Sequence, residues 1–244
     1  MENISNNPNI TTKSNLAGIE GVTRRNNECY EYVFSDEDML KMSQMKYEED
    51  RIAYKQDLIL KNKFKIKKVT AEKPTYNTSI KVKQGDITKL NIESIVNAAN
   101  TSLLGGGGVD GAIHRAAGED LLKECRALNG CEVGYAKITR GYKLPVQYII
   151  HAVGPIWNDG TKNEEELLKN CYLSILNLAK EYEIKELAIP AISCGAYKFP
   201  LEKATKIAVD TVNDFVQNNK CFKEIIFIDT NPNVVKSYLK HLKK

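Results

Sequence analysis

Between residues 97 and 118 the chain reads Asn-Ala-Ala-Asn-Thr-Ser-Leu-Leu-Gly-Gly-Gly-Gly-Val-Asp-Gly-Ala-Ile-His-Arg-Ala-Ala-Gly. Two carboxamides, Asn97 and Asn100, precede four consecutive glycines, Gly105 to Gly108, and a carboxylate, Asp110, follows them. A glycine run loses much backbone entropy on ordering. A compact domain therefore gains from it only where bare backbone approaches a ligand or takes a positive φ. Set between a strand-like and a helix-like stretch, the run is a binding loop whose amides suit an anion, and Asp110 adds a group capable of proton chemistry. His114, one turn beyond Asp110, either faces the same site or packs as a structural imidazole. A second loop, Ser193-Cys194-Gly195-Ala196-Tyr197, offers further amides, a phenol, and a thiol with no histidine placed to activate it. The GxxxxGK[ST] phosphate loop is absent, and the dinucleotide fingerprint fits poorly.

Positioning these groups requires alternating strands and helices. The hydrophobic periodicity predicts strands at 80–82, 94–99, 135–142, 147–153, 186–191 and 223–228, and helices at 109–118, 119–128 and 232–241. Further helix faces run through Leu168, Cys171, Tyr172, Ile175 and Ala179 and through Leu201, Ala204, Ala208, Val212 and Phe215. This alternation argues for a largely parallel sheet between helical layers, with both loops outside the carboxyl ends of its strands. Before it, residues 1–27 are rich in Asn and poor in large apolar groups, and are expected to be disordered. Residues 28–75 are expected to form a charged, helical extension. There Ser35-Asp-Glu-Asp38 is a capping signal, and Met39, Met42 and Met45 follow at spacing three. The run of Lys61, Lys63, Lys65, Lys67 and Lys68 reads as solvated surface, and Pro74 as a linker.

The 244 residues carry 35 basic against 31 acidic side chains, a net charge of only +4, with no arginine-rich stripe, so sequence-specific nucleic-acid binding is not expected. Six cysteines form no CxxC pair and only three histidines are present, which argues against zinc. No apolar run approaches membrane-spanning length and no leader pattern opens the chain, so an intracellular protein is expected, cytoplasmic or nuclear.

Four longer stretches carry a resemblance. Gly85-Asp86-Ile87-Thr88, the NAANTSLLGGGGVDGAIHRAAG run, the HAVGPIW stretch from His151 to Trp157, and AISCGAYKFP from Ala191 to Pro200 together resemble the MacroD-type macrodomains, a family of ADP-ribosylhydrolases and O-acetyl-ADP-ribose deacetylases. The likeness spans about residues 76–244, and Glu124 to Cys131 also resembles this subgroup. It implies a three-layer α/β/α sandwich around a mixed, largely parallel sheet.

The implied ligand is ADP-ribose, free, acetylated, or carried on mono-ADP-ribosylated proteins. Asp86 and Ile87 would then receive adenine, although Asp86 by itself fits a turn or cap equally well. Gly106, Gly107, Gly108 and Val109, with Ser193, Cys194, Gly195, Ala196 and Tyr197, would hold the diphosphate and distal ribose. Asn100 would bind the distal ribose hydroxyls, Asn97 would support the loop from behind, and Asp110 would either orient water together with the ligand diphosphate or accept a proton from a distal ribose hydroxyl; the alternative is a reader module that binds ADP-ribose without cleaving it. As a residue near a helix start, Asp110 is expected to be held ionised by the helix dipole. No metal or cofactor is implied, and a monomer is expected. Cys194 stands where members more usually carry Thr, Lys198 where glycine is common, and the end of the last strand lacks the aromatic that many members lay over adenine.

Overall fold

A computed structural model of the chain describes residues 75–242 throughout and, before them, residues 22–25, 28–33, 35, 37–38, 41–42, 53–54, 57–58 and 65–69. Two compact units divide between Lys73 and Pro74.

In the first unit, β1 (Val22–Arg25), β2 (Glu28–Val33) and β3 (Lys65–Val69) form an antiparallel sheet in the order β1-β2-β3, with Cys29 opposite Val69. Strands thus occur within the stretch expected to be disordered through residue 27, at 22–25, and within the extension expected to be partly helical. Glu-Cys-Tyr-Glu-Tyr-Val favours an extended strand through its aromatic and β-branched residues. Three of the lysines in the basic run, Lys65, Lys67 and Lys68, belong to β3. Helical residues occur where the capping signal placed them: the Asp38 amide donates to Ser35 Oγ at 3.2 Å, and Tyr54 Oη donates to Asp38 Oδ1 at 2.8 Å. Residues 1–21, Met39 and Met45 lie outside the described residues.

The second unit is built on β4 (Ser79–Gln84), β5 (Ser94–Ala98), β6 (Ala136–Arg140), β7 (Tyr148–Ala152), β8 (Glu186–Ile189) and β9 (Glu224–Asp229), in the order β4-β9-β8-β5-β7-β6. All neighbours pair parallel except β6 and β7, whose short connection permits only an antiparallel turn. The sheet is thus mixed and largely parallel. Consecutive strand residues alternate between two apolar clusters. Val96, Ile150, Leu187, Ile225 and Phe227 pack with α3 (Glu164–Glu181), α4 (Leu201–Asn218) and α5 (Pro232–Leu242). Ile95, Ile149, Ala188, Ile226 and Ile228 pack with α1 (Gly108–Ala117) and α2 (Glu119–Ala127). Both faces are covered, which is why these strands read as nearly continuous apolar runs. Among the described residues, no helix is long and apolar enough to cross a membrane.

Candidate functional site

Chain segments leaving the carboxyl ends of β4, β5, β7, β8 and β9 converge on one cleft of about 630 Å³, within the size range of small-molecule sites. Every residue nominated for catalysis or ligand contact lines it, Asp86, Ile87, Asn100, Gly106, Gly107, Gly108, Val109, Asp110, Ser193, Cys194, Gly195, Ala196 and Tyr197, whereas Asn97 and His114 lie behind it. The sequence reading missed Gly154, Pro190, Ile228, Thr230, Asn231 and Val234 on its walls. The strand-end rule could have found all but Val234, which lies on the helix Pro232–Leu242, since the others follow or close a parallel strand.

At one end of the cleft, Asp86 Oδ1 accepts from the Thr88 amide at 2.9 Å and from Thr88 Oγ1 at 2.7 Å. Asp86 therefore caps the short 3₁₀ turn Ile87–Lys89, and these bonds hold its carboxyl below the usual range. Among the described residues only Oδ1 is engaged in this way, so Oδ2 is available to a donor such as an exocyclic amine. The last strand offers no aromatic cover: Phe227 points into the core, stacked on Tyr238 with centroids 4.5 Å apart.

The glycine run is shaped by two needs. Gly105 takes φ +86° and Gly108 φ +58°, a region costly for other residues. Space demands Gly111, where a Cβ would lie 2.4 Å from the Gly106 carbonyl, and is tight at Gly106, where one would lie 3.0 Å from Asp110 Oδ2. Asn100 ties the run to β5, donating from Nδ2 to the Gly105 carbonyl at 2.9 Å while its Oδ1 accepts from the Ser102 amide and hydroxyl. The same Nδ2 lies 3.5 Å from Asp110 Oδ2.

Asp110 is not an N-cap. Gly107 occupies that position, and Asp110 turns inward as the third helical residue, only 4% exposed. Its Oδ1 accepts from Asn97 Nδ2 at 2.8 Å, and His114 Nε2, buried without a hydrogen bond, lies 3.5 Å away. The helix dipole was expected to favour the ionised form and so lower this carboxyl; the shift runs the other way. Burial pushes its pKa up, and the Asn97 hydrogen bond and His114 recover only part of the difference. Desolvation wins because the side chain folds under the loop rather than outward to solvent at the helix start. Behind Asn97, His151 is fully buried and pushed down to about 3, mainly by burial, so its ring is neutral.

Among the described residues, ligand atoms of His114, Cys125 and His151 lie within 4.8 Å of one another, a donor set that zinc accepts. Metal binding there would first have to displace Thr139 from His151 Nε2, 2.9 Å away, and ionise a thiol that burial pushes up to about 12.

In the second loop, Ser193 takes φ +64° and its Oγ is buried without a partner. Gly154 leaves room for it, since a Cβ there would come within 2.3 Å of that oxygen. Cys194 lines the cleft, donates from Sγ to the Ile192 carbonyl at 3.4 Å, and has its thiol pushed up to about 12 by burial, which disfavours the thiolate a nucleophile needs. Burial raises the Tyr197 phenol, and the nearby Asp110 charge adds to the shift. Lys198 takes φ +56°, donating its amide to the Gly195 carbonyl at 2.9 Å. This left-handed corner is the conformation a glycine adopts without strain, and the lysine accepts that strain with its side chain exposed.

The Macro domain family matches residues 96–208. A macro domain-containing protein of Methanosarcina mazei is 55% identical over 165 residues, spanning 68% of this chain and 88% of that protein. An ADP-ribose glycohydrolase MACROD2 of Xenopus laevis is 56% identical over 138 residues, spanning 56% of this chain but only 33% of that longer protein. A Trypanosoma brucei macrodomain solved in complex with ADP-ribose superimposes with a TM-score of 0.64 at 30% identity, covering 87% of this chain and 98% of that one. With a glycine loop, a facing second loop and a buried Asp110 assembled on this sheet, and with relatives of this extent, the chain belongs to the macro domain family and to its MacroD type.

Proposed function

We propose that this macrodomain is a hydrolase that releases mono-ADP-ribose from Asp and Glu side chains of proteins and removes the acetyl group from O-acetyl-ADP-ribose. Both substrates present an acyl ester on the distal ribose, so one arrangement serves both. The reading is supported most by Asp110: a carboxylate 4% exposed on the wall of the cleft, its proton affinity raised by burial. A module that only binds a diphosphate has no use for a buried anion there, since like charge costs affinity. A base, by contrast, is more effective when its pKa moves toward the working pH.

In this reading the amides of Gly106 to Val109 and of Ser193 to Tyr197 hold the diphosphate, Asp86 and Ile87 receive adenine, and Asn100 orients the distal ribose. Asp110 and a diphosphate oxygen align a water on the acyl carbon. The water oxygen bonds to that carbon, the ribose oxygen leaves with a proton, and Asp110 carries the proton between them. The proposed setting is an intracellular monomer acting without metal or cofactor.

The test is incubation of the chain with a protein mono-ADP-ribosylated on glutamate and, separately, with O-acetyl-ADP-ribose, with calorimetry on ADP-ribose alongside. Release from either ester supports the hydrolase. Binding without release makes the chain a reader of the modification. The pH dependence adds a second check. Asp110 works only when ionised, so activity is lost as pH falls through its raised pKa, and the acid limb of kcat should lie above the ordinary aspartate value of about 3.9. An acid limb at or below that value would remove Asp110 as the base.

A further inference from the structure

Behind the cleft, three side chains from adjacent strands form one hydrogen-bonded line to Asp110. Asn97 on β5, His151 on β7 and Thr139 on β6 share the sheet face covered by α1 and α2; each is buried, and none lines the cleft. Asn97 Nδ2 donates to Asp110 Oδ1 at 2.8 Å and to His151 Nδ1 at 3.1 Å, so Nδ1 must be bare. The single ring proton is then on Nε2, donated to Thr139 Oγ1 at 2.9 Å, and Thr139 passes its own hydroxyl proton to the Arg140 carbonyl at 3.2 Å. Every proton in the line has one consistent place. On the Oδ1 side nothing helps to select this orientation, because that oxygen is buried without a partner; it is set on the Nδ2 side, by Asp110 and His151.

We propose that Thr139 is a positioning residue for the reaction at Asp110: by accepting the Nε2 proton it holds His151 in the tautomer whose bare Nδ1 keeps the Asn97 amide, rather than its carbonyl, turned to the Asp110 carboxylate. Without the hydroxyl, the remaining neighbour of Nε2 is Cys125 Sγ at 3.7 Å, a thiol that burial keeps protonated and that donates to a bare Nε2. The ring proton then moves to Nδ1, where only a carbonyl can accept it, and the Asn97 amide turns over. Asp110 loses its donor and faces an oxygen instead. The other titratable groups facing Asp110 are His114 on its own helix, Cys125 from α2 and Tyr197 from the second loop; of these, His114 Nε2, 3.5 Å from Oδ1 and without a hydrogen bond, is the nitrogen that competes with the Asn97 amide.

The inference rests on the hydrolase reading for its consequence but not for its geometry, and the experiment separates the two. Full-length wild type, Thr139→Val and Thr139→Ser would be compared by ¹⁵N NMR of the His151 ring, ¹³C titration of the Asp110 carboxyl, and kcat on O-acetyl-ADP-ribose. The expected result is an Nε2–H ring in wild type and Ser, an Nδ1–H ring in Val, and an Asp110 midpoint about one unit higher in Val. The acid limb of kcat moves with that midpoint, kcat falls about tenfold, and ADP-ribose affinity stays the same. An Nδ1–H ring in wild type overturns the proposal, as does an unmoved Asp110 midpoint in Val or a Ser variant that behaves like Val. If wild type releases nothing from either ester the hydrolase reading fails, while the two NMR readouts still decide the relay.

Discussion

Replacing Asp110 with alanine is expected to leave ADP-ribose binding largely intact while lowering ester hydrolysis at least about tenfold, toward the 10²–10⁴ that a positioned general base contributes. The two effects separate because Asp110 belongs to the cleft wall but offers no donor to a diphosphate. Removing its charge takes a like charge away from the ligand. The fold should tolerate the change: the Asn97 amide loses an acceptor, at a cost of about 1–3 kcal/mol, but a carboxylate whose burial already raises its pKa is also removed. Calorimetry and release of ADP-ribose from a glutamate ester, run on the same preparations, check both halves. Turnover equal to wild type would take Asp110 out of the mechanism. Asp110→Asn, which keeps the shape, should be equally slow if proton transfer is the loss.

The second large effect is expected at Gly195. Its backbone is outside the left-handed region and a Cβ there would meet no atom within 4 Å, so the fold places no demand for glycine at this position. Gly195→Ala should therefore melt and bind almost as wild type. Gly195→Glu extends a carboxylate into the cleft between the two loops, where the proposed ligand carries its own two negative charges. Affinity for ADP-ribose should fall about a hundredfold or more, with an unchanged melting temperature, because both volume and charge now oppose the diphosphate. Normal affinity by calorimetry would mean that the second loop does not hold the diphosphate. Gly106 would be a poorer test: a side chain there collides with Asp110 and Asn100, so lost binding would not separate crowding from repulsion.

Local sequence carried much of this protein. Apolar runs such as Ser94–Ala98 and Glu224–Asp229, buried on both faces, mark parallel strands, and four adjacent glycines after such a run mark a loop that brings backbone to a ligand. Those two signals, with the ordered motifs around them, were enough to nominate residues from both loops that the fold brings to one cleft. The extension was less legible. β2 and β3 pair across more than thirty residues of charged chain, and that pairing depends on partners no local window contains.

The electrostatic state of Asp110 was decided by tertiary structure alone. Its position near a helix start argued for a lowered pKa, and only the fold shows the side chain turned inward, where the loss of water raises it against the Asn97 bond and His114. Nor could any spacing in the sequence join Thr139 and His151 to Asn97 and Asp110. They come from three strands and a helix, and their line of protons exists because β6 pairs antiparallel to β7 and β7 lies beside β5. Residue types and periodicity thus determined which elements form and which loops meet a ligand, because those follow from local entropy and burial. Which carboxyl is buried, which tautomer its neighbours hold and which way an amide faces were decided by the tertiary structure, because desolvation and hydrogen-bond direction depend on atoms distant in the chain.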